Sequence, residues 1–88
     1  MPKISEFFGI SVYMYWFDDS RHKLPHFHAL FEGKMAVFGL DGACLAGDIG
    51  PRASRLVKEW ATERRTELNA AWEKAIKGKE VPWIKAIN

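Results

Sequence analysis

Residues 25–47 read PHFHALFEGKMAVFGLDGACLAG, and this stretch decides the fold that the sequence predicts. Pro25 fixes its own φ and offers no N–H, so it suits the first residue of a strand. His26 to Glu32 is then rich in aromatic and apolar residues, which is typical of a strand. Gly33-Lys34 is a candidate tight turn, and residues 35–38 form a further strand after it.

The strands on either side of this pair follow from similar signals. Asp41-Gly42 is a favoured hairpin dipeptide, and Ala43 to Gly47 is expected to form the next strand. Upstream, Ile10 to Phe17 is rich in β-branched and aromatic residues, which indicates another strand. Residues 1–9 are expected to form a short lead-in that Gly9 interrupts. Because the connections are too short for parallel crossovers, we predict an antiparallel β-meander of about four strands.

The composition changes after Gly50-Pro51, and residues 52–77 contain neither Gly nor Pro. Pro51 suits the first helical position, and Gly78 suits the position just after a helix. Between them, apolar residues recur at helical spacing, and we expect both tryptophans among them to lie in the core: Leu56, Val57, Trp60, Ala61, Leu68, Ala71, Trp72, Ala75 and Ile76. Arg64-Arg65 interrupts this stripe, so the segment is either one long helix or two helices joined near Arg65. In the extended tail 81–87, Trp83 and Ile84 are expected to pack against the sheet or another chain.

These elements predict an α+β fold, an antiparallel β-meander of about four strands with a long C-terminal helix packed on one face. The 88 residues are enough for a single domain, 1–88. The net charge of +2 excludes a strongly cationic nucleic-acid-binding arm, but leaves RNA, protein and small-molecule partners open. The lone Cys44 excludes an internal disulfide and is expected to be a small buried strand residue. With no long apolar run and no signal peptide, we expect a cytoplasmic protein without a membrane span.

All three histidines of the chain lie within seven residues, at His22, His26 and His28. On a strand, His26 and His28 leave the same face, and a loop His22 could fold back over them. Glu32, four residues after His28, is expected to leave that face as well. Imidazole and carboxylate groups are common metal ligands, so one hypothesis is a divalent metal site formed by His22, His26, His28 and Glu32.

A second hypothesis uses the same histidines without a metal. Two imidazoles, with Tyr13, Tyr15 or a carboxylate beside them, are suited to acid–base cleavage of RNA through its 2′-hydroxyl. In that case His26, His28 and Tyr13 are the candidate catalytic residues. A third interpretation is structural, in which the imidazoles hydrogen-bond to the backbone or line a polar dimer interface. The residues alone leave these alternatives, and enzymatic activity, open.

Several segments also resemble one known family. The segments that carry the resemblance are Met1-Pro2-Lys3-Ile4-Ser5, Phe7-Phe8-Gly9-Ile10, Val12-Tyr13-Met14-Tyr15 and, as the most specific, Pro25-His26-Phe27-His28-Ala29. Together they resemble the small bacterial family called domain of unknown function 4160. The chain departs from the usual family pattern at Leu24, where a proline is usual, and in a longer loop before it.

The resemblance implies a short bacterial protein that is often encoded beside a second small domain of unknown function, an arrangement similar to toxin–antitoxin pairs. It implies a partner protein and RNA as a candidate target. We therefore expect a component of a toxin–antitoxin-like module that acts through a small partner protein or as a homo-oligomer, with the histidine cluster as its site. The alternative is an RNA-cleaving or metal-dependent hydrolase that uses His26 and His28.

Overall fold

The computed structural model of the chain describes residues 3–16 and 24–87. The elements follow one another as β1 (Lys3–Phe7), β2 (Ile10–Tyr13), β3 (His26–Phe31), β4 (Lys34–Gly39), β5 (Cys44–Gly47), α1 (Pro51–Glu63) and α2 (Arg65–Ile76). The strands form one antiparallel sheet in the order β1-β2-β3-β4-β5. The α+β class and the meander are therefore confirmed. Within residues 3–16 and 24–87, the expected count of about four strands and the single long helix are corrected to five strands and two helices.

The additional strand is β1, which lies within the segment 1–9 that was expected to form a lead-in. It pairs with β2 through a turn at Phe8 and Gly9, whose φ angles are 50° and 78°. Glu32 and Gly33 repeat this conformation between β3 and β4, with φ angles of 50° and 77°. The expected turn at Gly33-Lys34 is thus displaced by one residue, because the glycine is the second turn residue. Since the sheet is antiparallel, both turns lie at the same end of it.

The helical segment breaks at Arg64, whose backbone angles of −109° and 25° are not helical. The Arg64 guanidinium donates hydrogen bonds to the carbonyl oxygens of Lys85 and Ala86, each at 3.3 Å. The segment is therefore two helices joined at Arg64 and not one long helix. The Arg64 side chain also connects this junction to the C-terminal tail.

The core lies between the helices and one face of the sheet, and Trp60 is at its centre. Its side chain is 0% exposed, and its ring lies 5.4 Å from that of Phe7 and 5.5 Å from that of Phe27, centroid to centroid. Trp72 is also buried, so the expectation that both tryptophans belong to the core is confirmed. Among the described residues, neither helix is long and apolar enough to cross a membrane.

The C-terminal tail completes the core beside β1. Ile84 is 1% exposed, and its backbone N–H donates a 2.7 Å hydrogen bond to the carbonyl oxygen of Ile4. Trp83 is 60% exposed, so it is not buried against the sheet, and its expected packing against another chain stays a prediction. Adjacent side chains of an extended segment point in opposite directions, and only one of the two can face the core.

Cys44 also differs from its expected environment. It is exposed, because it lies on β5 at the edge of the sheet, where none of the four residues of the strand is buried. A short, exposed edge strand offers no core position for a small apolar side chain.

Candidate functional site

The two described histidines lie at the start of β3, next to two tyrosines. In the antiparallel register, His28 lies directly opposite Tyr13 on β2. The ring centroids of His26 and His28 are 5.4 Å apart, and the Tyr15 ring lies 4.5 Å from that of His28, edge to face. We call Tyr13, Tyr15, His26 and His28 the histidine–tyrosine cluster. The structure therefore brings together the three candidate catalytic residues, His26, His28 and Tyr13, and adds Tyr15.

His26 is held firmly in this cluster. It is 1% exposed, its Nδ1 lies 2.8 Å from the carbonyl oxygen of Leu24, and its ring lies 5.1 Å from the Trp72 ring. A carbonyl oxygen only accepts hydrogen bonds, so Nδ1 carries the proton. In the neutral ring the lone pair is then on Nε2. The Leu24 carbonyl thus sets the tautomer as well as the orientation of the imidazole.

His28 occupies the middle of the cluster and is half-buried. Its imidazole contacts the rings of both His26 and Tyr15, and Tyr13 and Tyr15 stack with their ring centroids 6.4 Å apart. Imidazole and phenol side chains are among the groups that serve as general acids and bases when they lie this close together. The same groups are also typical of the aromatic contacts made at protein interfaces.

The expected metal ligands are not all in one place. Glu32 lies in the turn beyond β3 with a φ of 50°, so the expectation that it shares a face with His28 is wrong. Strand alternation stops at Phe31 and no longer determines where the next side chain points. Within residues 3–16 and 24–87, no group of three or more His, Cys, Asp or Glu residues could hold a metal ion. His22 lies outside the described residues, and a metal bound with His26 and His28 stays a prediction.

Tyr15 belongs to the acid–base hypothesis beside Tyr13, and it lies two residues beyond Tyr13 in the same aromatic segment. Trp72 is the residue of the site that the sequence did not select. Trp72 comes from α2, more than forty residues away from His26. Its helical spacing indicated only a core position, and no local pattern could have paired it with an imidazole.

A comparison with family models matches this chain over residues 9–73, and the matching model is described as Domain of unknown function (DUF4160). The matched stretch contains the complete histidine–tyrosine cluster and Trp72. Searches of curated proteins and of solved structures returned no match. The match covers well over half of the 88 residues, and the chain therefore belongs to the DUF4160 family.

Proposed function

We propose that this protein is the cytoplasmic component of a bacterial toxin–antitoxin-like module, and that it binds a small partner protein through the second face of its sheet. The observation that carries the proposal is the composition of that face. Six side chains that alternate with core residues along β2, β3 and β4 are half-buried or exposed, and we call them the open face: Ser11, Tyr13, His28, Leu30, Met35 and Val37.

The open face is continuous across three strands. Tyr13, His28 and Val37 form one row of directly opposed residues, and Ser11, Leu30 and Met35 form the next. Directly opposed side chains on one face of a sheet are close enough to present a single surface.

The chemistry of this surface fits a protein partner. None of its six side chains is an Asp, Glu, Lys or Arg, and the cores of protein interfaces are depleted in such residues, apart from Arg. Tyrosine is enriched at the positions that dominate binding energy, and methionine adapts its shape to a partner surface. The role of His28 here is to present a polar edge within an apolar surface.

The proposal is tested with the product of the neighbouring gene in the source genome. Co-expression is expected to give a stable complex, and titration calorimetry should show that Tyr13→Ala and His28→Ala each weaken it by about tenfold or more. Glu63→Gln, on an exposed position of α1, is the matched control and should bind as the unchanged protein does. In a growth assay, one of the two proteins should arrest the host and the other should relieve the arrest.

Absence of a complex, or equal binding by all three variants, would contradict a partner site on the open face. Concentration-dependent self-association that the same two substitutions abolish would instead identify a second copy of the chain as the occupant.

A second candidate function is favoured by the closeness of the two imidazoles, whose ring centroids lie 5.4 Å apart, with Tyr13 directly opposite His28. In this function one imidazole takes the proton from an RNA 2′-hydroxyl, whose oxygen attacks the neighbouring phosphorus. The leaving 5′-oxygen then takes a proton from the other imidazole. Incubation of the unchanged protein and its histidine variants with labelled RNA and a chelator tests for this metal-independent cleavage. Cleavage that rises and falls with pH, and is lost in both His26→Ala and His28→Ala, would establish it.

A further inference from the structure

A cleft of about 650 Å³ lies at the end of the sheet where the turns at residues 8–9 and 32–33 meet α1. Its walls are mainly apolar, with Ile10, Phe31 and Leu56 among them, and its charged residues are Glu32, Arg52 and Arg55. His26 begins β3 and the cleft lies at the other end of that strand, so the cleft is separate from the histidine–tyrosine cluster. Its volume falls within the range of small-molecule sites.

One of the two arginines of the cleft, Arg52 in the first turn of α1, is placed where helix stability does not favour a cation. Arg52 and Arg55 are exposed, one turn apart, in the N-terminal half of α1, and the first turn of this helix holds no acidic residue. The helix dipole disfavours cations near a helix N-terminus and favours anions there. In the part of the chain that the structure describes, neither guanidinium makes an ion pair or a hydrogen bond. Both charges are therefore available to a bound anion.

The backbone at the rim of the cleft is strained on both sides. Phe8 and Glu32 both have a φ of 50°, a conformation that a bulky side chain adopts rarely and at a cost in free energy. Phe8 is also 67% exposed, although an apolar ring is normally more stable when buried. Both residues are the first of a two-residue hairpin turn, which requires this conformation, and strained residues of this kind are also found at ligand sites.

We propose that this cleft binds a small amphipathic carboxylic acid. The apolar body of the ligand packs against Phe31 and Leu56, and its carboxylate is held by Arg52 and Arg55. Arginine suits this group because its planar fork of donors matches the two carboxylate oxygens. Two arginines against one glutamate leave a single excess positive charge, which selects a ligand with one negative group.

The test titrates the full chain with phenylbutyrate and, in parallel, with phenylbutylamine, followed by amide proton–nitrogen NMR. Phenylbutyrate is expected to shift the amide signals of both turns and of the first half of α1, with millimolar or tighter affinity. The amine has the same apolar body and the opposite charge, so it should bind about tenfold more weakly. The double substitution Arg52→Gln and Arg55→Gln should weaken phenylbutyrate binding about tenfold.

Arg65→Gln, an exposed arginine at the start of α2, is the matched control and should bind phenylbutyrate as the unchanged protein does. The single substitution Arg55→Gln provides a second measurement if the double variant does not give a well-dispersed spectrum. Absence of binding, equal binding of the amine, signals that shift away from the cleft, or unchanged affinity in the arginine variants would each overturn the proposal.

Discussion

Replacing Trp60 by alanine is expected to lower the free energy of unfolding by about 3–5 kcal/mol. The indole is fully buried between the rings of Phe7 and Phe27, so its removal leaves a cavity that joins β1, β3 and α1. It also leaves the Lys85 carbonyl without the Nε1–H that donates to it at 2.8 Å. A domain of this size is stable by only about 5–15 kcal/mol, so a large part of its stability is lost. Urea unfolding followed by circular dichroism measures the change.

Trp60→Phe separates packing from hydrogen bonding at this position. It keeps an aromatic ring in the core but removes the donor, and we expect it to cost about 1–2 kcal/mol. A loss below about 1 kcal/mol in the alanine variant would contradict the central position given to Trp60.

Ending the chain after Glu80 is expected to destabilise the protein by about 4 kcal/mol or more. The truncation removes the buried side chain of Ile84, which by itself is worth about 2–4 kcal/mol. It also removes the 2.7 Å hydrogen bond from Ile84 to Ile4 and the backbone carbonyls that accept from Trp60 and Arg64. Each such hydrogen bond contributes about 0.5–1.5 kcal/mol. Thermal unfolding of the truncated and complete chains gives the comparison.

Trp83→Ala is the matched control for the tail, because this larger side chain lies beside Ile84 but is mostly exposed. We expect it to change stability by less than about 1 kcal/mol, and Ile84→Ala to change it several times more. If the two single substitutions had equal effects, the tail would not be anchored through Ile84.

The parts of the sheet that depend on local strand composition and turn residues could be predicted from the sequence. Runs of β-branched, aromatic and apolar residues, together with turn dipeptides, predict the strands β2 to β5 and the turn at Asp41-Gly42, where Gly42 has a φ of 88°. The first hairpin was missed because its turn places Phe8 in a left-handed conformation, where Gly, Asn or Asp is expected. The sequence leaves a helix break near Arg65 as one of two alternatives, because helical propensity alone favours continuity through two arginines.

The candidate site was predictable only in part. Alternation put His26 and His28 on one face, but the pairing of Tyr13 with His28 depends on strand register, which no short segment determines. The Leu24 carbonyl that orients His26 could not be inferred from side-chain types. The cleft was not foreseen at all, because its walls come from two turns and a helix that are far apart in the chain.

The hydrogen bond between Ile84 and Ile4 has a consequence for the order in which the molecule assembles. Every pairing within the sheet joins strands that are neighbours in the chain, and such short-range closures form quickly. The contact between residues 4 and 84 spans almost the entire chain, so its closure costs more entropy and comes late. On the ribosome, β1 therefore stays without its C-terminal cover until residue 84 has emerged, and the newly made sheet passes through a stage in which its first strand is open to any other extended chain nearby.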